Sequence, residues 1–221
     1  YKIISTINLC EQLTEKYPTN NFVPIFWMAS EDHDFQEINH IYLFGKKIEW
    51  ESEQNGAVGR MNLDGFVTVL DELKSVFGTS ENAEELILFF EKTYLQHESL
   101  VDATRYLVNE LFGEYGLIIL DGDDKRLKKQ FISIIKKDIV SQGFEKIITK
   151  CSEDLAEKYK EQAYVRNINF FKLSEGKRGL IKGAVAEREI EKSPQLFSPN
   201  VLLRPLYQET ILPNIAYVGG G

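Results

Sequence analysis

An uninterrupted apolar run that breaks into three acids and a histidine constrains this chain more than any other feature. It reads Phe22-Val23-Pro24-Ile25-Phe26-Trp27-Met28-Ala29-Ser30-Glu31-Asp32-His33-Asp34. A short run rich in β-branched and aromatic residues predicts a strand buried on both faces. Pro24 tempers that expectation, since proline cannot donate to a sheet ladder. In an open α/β sheet, ligands bind beyond the carboxyl ends of the strands, where Glu31 to Asp34 fall.

The same theme recurs at Gly116-Leu117-Ile118-Ile119-Leu120-Asp121, with Asp123 and Asp124 just beyond, and Asn214 to Val218 reads as a third strand before Gly219-Gly220-Gly221. Helical patterns lie between the strands. One covers 2–17 with Ile3, Ile7, Cys10 and Leu13 on a face, and one follows Asp64 as cap. A long one runs over 81–112, opened by Ser80 and carrying an apolar stripe along its whole length. Alternation of strand and helix predicts an α/β fold with a Rossmann-like, doubly wound, mostly parallel sheet. Ile41 to Phe44 and Ile48 to Trp50 bracket Gly45-Lys46-Lys47 as a hairpin, and 168–182 predicts a second hairpin that is an insertion rather than sheet core. Ser198-Pro199 is expected to open a last helix, bent at Pro205.

The expected division places the core at 1–150, with a hairpin and helix insertion around 41–80. A further insertion takes 151–195, and 196–221 returns to the core. The opening without Met or a cap, and the stop on glycines, suggest an excised piece of a longer protein.

The charge of −8 argues against a phosphate-backbone partner, which needs clustered Lys and Arg. The two cysteines, Cys10 and Cys151, with no CxxC, favour a reducing, cytoplasmic setting. No run approaches the roughly 20 apolar residues of a membrane helix.

An imidazole beside carboxylates is poised for proton exchange near neutral pH, which makes His33 the leading catalytic candidate, with Asp34 beside it. Glu31 and Asp32 could bind ammonium groups. A metal at Glu31 to Asp34 is not expected, because adjacent residues on an extended chain point to opposite faces. Capping alone accounts for Asp123 and Asp124, and His97 on its apolar stripe reads as a satisfied core residue. Arg204 before Pro205 either holds a carboxylate bidentately or makes a structural salt bridge. The terminal glycines could let backbone approach an anion, but they spell no phosphate-binding motif.

The strings go further than their patterns. Val23 to His40, Gly116 to Asp124, and Leu202-Leu203-Arg204-Pro205-Leu206-Tyr207-Gln208-Glu209-Thr210 with Leu212-Pro213 and Ala216 to Gly220 closely resemble three motifs of the cysteine-adding enzymes of bacillithiol biosynthesis, the cysteine ligases. The resemblance covers essentially the whole chain. It implies a Rossmann-like core with connecting-peptide insertions and a long C-terminal coiled coil beyond Gly221. The implied reaction joins cysteine to glucosaminyl-malate through an amide bond, the last step of bacillithiol synthesis. It implies substrate-binding roles for Asn39, Asp121, Asp123, Gln208, Gly219 and Gly220, beside those read above. It leaves the cofactor unassigned, with ATP or ADP a matter for the full-length protein and its coiled coil, and this piece alone is expected to be inactive. Expected partners are cysteine and glucosaminyl-malate, with a homodimer as the candidate assembly. The alternative reading is a non-catalytic α/β module that docks a protein through its acidic edge.

Overall fold

A computed structural model of the chain describes residues 1–160, 163–174 and 176–219. It divides into two compact units, Tyr1–Gly122 with the chain end from Val218, and Asp123–Tyr217.

The first unit contains α1 (Lys2–Lys16), β1 (Ile25–Met28), α2 (Phe35–Ile38), β2 (His40–Leu43), β3 (Lys46–Glu49), α3 (Phe66–Phe77), α4 (Glu81–Leu95), α5 (Leu100–Phe112) and β4 (Ile118–Asp121). β1 and β4 pair in parallel, from Ile25 opposite Ile118 to Met28 opposite Asp121. Pro24 sits one residue ahead of β1, where its missing N–H is not needed and its carbonyl accepts from Ile118 N at 3.0 Å. The α/β class holds, and the parallel sheet comprises these two strands among the described residues. Burial on both faces does not hold: only Met28 of β1 is buried and Ile118 is 46% exposed. A sheet two strands wide has too few neighbours to cover both of its faces. α1, whose buried residue is Ile7, packs on β1, and α5 packs on β4, where Arg105 Nη1 donates to the Ile119 carbonyl at 2.8 Å.

The expected hairpin is β2–β3, paired from His40 opposite Glu49 to Leu43 opposite Lys46. Its two turn residues, Phe44 and Gly45, both have positive φ, 49° and 83°. That is the backbone of the two-residue turn whose twist matches the strands it joins. Beneath the hairpin lies the core. Ile48 packs with Leu70, Leu73 and Ile87, and Trp50 packs with Met61, Phe66 and Ala103. The Phe66 and Tyr94 rings stack at 4.3 Å, and Trp50 Nε1 donates to the Asp64 carbonyl at 2.8 Å. Burial pushes the Tyr94 hydroxyl above its ordinary pKa.

Two helix expectations need correction. The pattern over 81–112 is not one helix, because it breaks between Leu95 and Leu100, and Ser99 caps the second piece. His97 lies in the break, its Nδ1 2.9 Å from the Thr93 carbonyl, so it finishes α4 rather than lining a continuous stripe. Asp64 does not cap α3; Gly65 does, at φ 87°, a conformation that costs glycine least.

The second unit contains α6 (Lys125–Gln130), α7 (Ile132–Ile139), α8 (Glu145–Ala156), β5 (Phe170–Ser174), β6 (Lys177–Leu180), α9 (Glu187–Lys192), β7 (Phe197–Pro199) and α10 (Arg204–Ile211). β6, β5 and β7 form an antiparallel sheet in that order. The 168–182 hairpin is therefore no appendage. Phe170, Leu173 and Phe197 are each at most 2% exposed, and Phe131 and Tyr207 pack with their rings 4.7 Å apart. Ser198-Pro199 closes β7 instead of opening a helix, and Pro205 stands in the first turn of α10, where a missing N–H costs nothing. The third expected strand, 214–218, does not form; Ile215 and Tyr217 are 70% and 74% exposed. Among the described residues no helix is long and apolar enough to cross a membrane.

Candidate active site

The register that places Met28 opposite Asp121 brings the exits of β1 and β4 to one edge. Ser30, 6% exposed, donates its hydroxyl to Asp121 Oδ1 across that edge. The loop after Ser30 turns at once, with Asp32 N donating to the Ala29 carbonyl at 3.0 Å. A second segment then clamps it: Val58 N donates to the Asp32 carbonyl at 2.7 Å and Gly59 N to the Ser30 carbonyl at 2.8 Å. A Cβ on Gly122, the residue after β4, would stand 3.0 Å from Trp27 Nε1, so the indole of β1 closes over the exit of β4.

On this clamped loop the acids and the histidine take distinct positions. Asp32 Oδ1 accepts from His33 N at 2.7 Å and lies 3.4 Å from His33 Nδ1. The His33 side chain is 58% exposed, so the imidazole is held on one side by a carboxylate and reaches solvent on the other. The carboxylate holds the ring by one nitrogen and leaves the other nitrogen for proton exchange. Glu31 is half-buried, and Asp34 is exposed at the N-cap of α2, with no side-chain capping bond. Asn39 stands at the other end of α2 with its amide engaged: Nδ2 donates to Glu49 Oε1 at 3.1 Å and to the Trp50 carbonyl at 3.3 Å. Among the described residues no three His, Cys, Asp or Glu side chains gather as a metal site would require.

Asp121 thus joins the Glu31–Asp34 loop, as the acidic strand exits suggest. The remaining candidates divide between the two units. Asp123 is half-buried at the head of the second unit, and the capping role goes to Asp124, whose Oδ1 accepts from Arg126 N at 2.7 Å. Arg204 and Gln208 stand one turn apart on α10 in the second unit, Arg204 half-buried and Gln208 9% exposed. Gly219 is exposed and outside any strand, and Gly220 lies outside the described residues. Ser30, Val58 and Gly59 carry no motif that marks them in the sequence. A hydroxyl directly ahead of the acids was a hint, but a clamp from residues 58–59 leaves no local signal.

A family model described as bacillithiol biosynthesis BshC, N-terminal Rossmann-like domain, matches residues 1–221. Curated relatives bear the name "Putative cysteine ligase BshC". That of Flavobacterium johnsoniae is 46% identical over 238 residues, and that of Flavobacterium psychrophilum 47% over 237, both alignments taking in 100% of this chain. A more distant one, from Staphylococcus saprophyticus, is 29% identical over 251 residues. The alignments cover 45%, 44% and 46% of these relatives, so the chain spans a little under half their length.

Proposed function

The chain belongs to the BshC family, matching its N-terminal Rossmann-like domain, and from that premise we propose that it is the core of a cysteine ligase that joins L-cysteine to glucosaminyl-malate by an amide bond in the last step of bacillithiol synthesis. The alternative of a protein-docking module finds no support among relatives that all carry a ligase name.

The new bond is C–N: the amine of glucosaminyl-malate attacks the carboxyl carbon of cysteine. The C–O bond there breaks and its oxygen departs, as water or on the group that activates it. The amine attacks only after its ammonium form has shed a proton. His33, solvent-facing and backed by Asp32, is the base on this reading, with Asp34 beside it at the start of α2. Glu31 and Asp32 hold the ammonium group before the proton leaves. In the second unit, Arg204 and Gln208 hold a carboxylate, a task that suits the planar, two-pronged guanidinium. Asp121 and Gly219 in the first unit, and Asp123 in the second, are each proposed as further substrate contacts within their own unit. The observation that carries this reading is the join of Ser30 to Asp121, which fixes both strand exits at one edge and leaves the His33–Asp32 pair facing out of it.

The test is His33→Ala in the complete protein that contains this chain. Product formation from cysteine and glucosaminyl-malate should fall at least a hundredfold, within the range expected for loss of a general base, with the melting temperature unchanged because the ring is exposed. Undiminished product would remove His33 from the chemistry.

A further inference from the structure

Three buried polar residues of the second unit form a hydrogen-bonded chain from α7 to the turn that leads into α10. Asp138, Asn169 and Asn200 are 0%, 1% and 7% exposed. Asp138 Oδ2 accepts from Asn169 N at 2.6 Å, and its Oδ1 accepts from Asn169 Nδ2 at 3.1 Å. Asn169 Oδ1 accepts from Asn200 Nδ2 at 3.0 Å. Asn200 Oδ1 accepts from Leu202 N at 3.0 Å and Leu203 N at 3.1 Å, while its carbonyl accepts from Arg204 N at 2.9 Å. Pro205 brings no N–H, so Asn200 answers every backbone donor from Leu202 to Pro205.

Such a chain has a direction, and Asp138 sets it. Asp138 Oδ1 and the Arg166 carbonyl both take Asn169 Nδ2, which turns the Asn169 oxygen to Asn200. Asn200 must give that oxygen its NH2, and its own oxygen is left for the turn. In Asp138→Asn the new oxygen can keep Asn169 N, but the new NH2 then faces Asn169 Nδ2. Two donors cannot pair, and the clash is relieved only when the Asn169 amide turns over. That sets its NH2 against Asn200, and reversal of Asn200 sets NH2 against Leu202 N and Leu203 N. The fault thus passes to the backbone ahead of Arg204, where an unpaired buried donor is costly.

We propose that Asp138 is a positioning residue for Arg204: through Asn169 and Asn200 it fixes the turn from which α10 presents that guanidinium to a substrate carboxylate. Arg204 is the first residue of α10 and half-buried, so its reach is set by where the helix begins. Asp138 lies in the core and acts only through the two amides. The polarity of the chain stands on its hydrogen bonds alone; the consequence for substrate rests on the reading of Arg204 as the carboxylate holder.

The test moves the carboxylate from one end of the chain to the other. In the complete protein, ligation is measured against glucosaminyl-malate concentration, and hydrogen exchange is followed at the Leu202 and Leu203 amides. Asp138→Asn should raise KM for glucosaminyl-malate about tenfold with kcat within about twofold, the sign of lost binding rather than lost chemistry. Exchange at the two amides should quicken by about the same factor. Adding Asn200→Asp supplies an acceptor to the inverted Asn169 amide and keeps an oxygen on the turn, so KM and exchange should return to within about threefold of the parent. In the parental background Asn200→Asp should instead raise KM, because it sets oxygen against Asn169 Oδ1. One substitution that harms in one background and repairs in the other reports shared polarity, which mere core filling would not produce. If Asp138→Asn fails to fold, the doubly substituted protein must still fold with a near-parental KM, or the proposal falls. It also falls if Asn200→Asp acts alike in both backgrounds, or if KM is unchanged in Asp138→Asn but raised in Arg204→Ala. An unchanged KM in Arg204→Ala would overturn the carboxylate reading itself, and the positioning role with it.

Discussion

Gly59 and Ser30 meet backbone to backbone: a Cβ on residue 59 would lie 2.4 Å from Ser30 Cβ and 2.9 Å from its carbonyl oxygen. The glycine is required by this approach and not by its torsions. Because Gly59 N also donates to that carbonyl, the acidic loop is seated on bare backbone.

Gly59→Ala must therefore displace the loop or break the hydrogen bond. Forcing a methyl into packed backbone costs about 1–3 kcal/mol, and the unfolding midpoint in urea should fall accordingly. Ligation by the complete protein should fall with it, since Ser30, Asp32 and His33 shift together. A variant as stable as the parent would show that the loop yields freely.

Ser30→Ala tests the other side of the same join. It removes a buried hydroxyl that donates to Asp121, and a hydrogen bond to a charged group contributes about 1.5–3 kcal/mol. The expected result is a lower thermal midpoint, read by circular dichroism. An unchanged midpoint would mean that the two strand exits are held by their register alone.

These contacts also explain what could be read in the chain and what could not. The strand at Ile25–Met28, its acidic exit and the hairpin around Gly45 were legible because hydrophobic pattern and turn chemistry are local. The join of Ser30 to Asp121 spans 91 positions, and no window of sequence contains it. Asn214 to Val218 has the composition of a strand, but strand formation depends on a neighbour with unpaired backbone, which composition does not record. The 168–182 hairpin looked like an appendage because its tip is charged. Phe197, which packs it into a core and pairs with it through β7, arrives much later in the chain.

Asp138 gives the second unit a pH dependence of definite sign. It is fully buried and accepts from Asn169 N at 2.6 Å and from Asn169 Nδ2 at 3.1 Å. Burial nevertheless outweighs those bonds and holds its pKa above the ordinary carboxyl value. The folded state thus binds this proton more tightly than the unfolded chain does. The stabilisation is complete below the unfolded value of about 3.9 and is lost as pH rises through the folded one. In urea unfolding from pH 4 to 7, the stability of the parent minus that of Asp138→Asn should decline with pH. A constant or rising difference would contradict the burial argument.

Ser99 decides whether 81–112 is one helix or two, and the sign of a substitution there separates the cases. Its Oγ accepts from Asp102 N at 3.3 Å and donates to Asp102 Oδ2 at 2.5 Å, while Leu100 N donates across to the Met61 carbonyl at 2.9 Å. As an N-cap, Ser99 should lose about 1 kcal/mol on change to Ala but only a few tenths on change to Gly, since Gly is tolerated at caps and Ala is not. In the interior of a continuous helix the order would invert. Ala would match or exceed Ser, and Gly would fall roughly 0.8–1 kcal/mol below Ala. Urea unfolding of the two variants should therefore rank parent above Ser99→Gly, and Ser99→Gly above Ser99→Ala. An alanine variant more stable than the glycine one would restore the single long helix that the apolar stripe suggests.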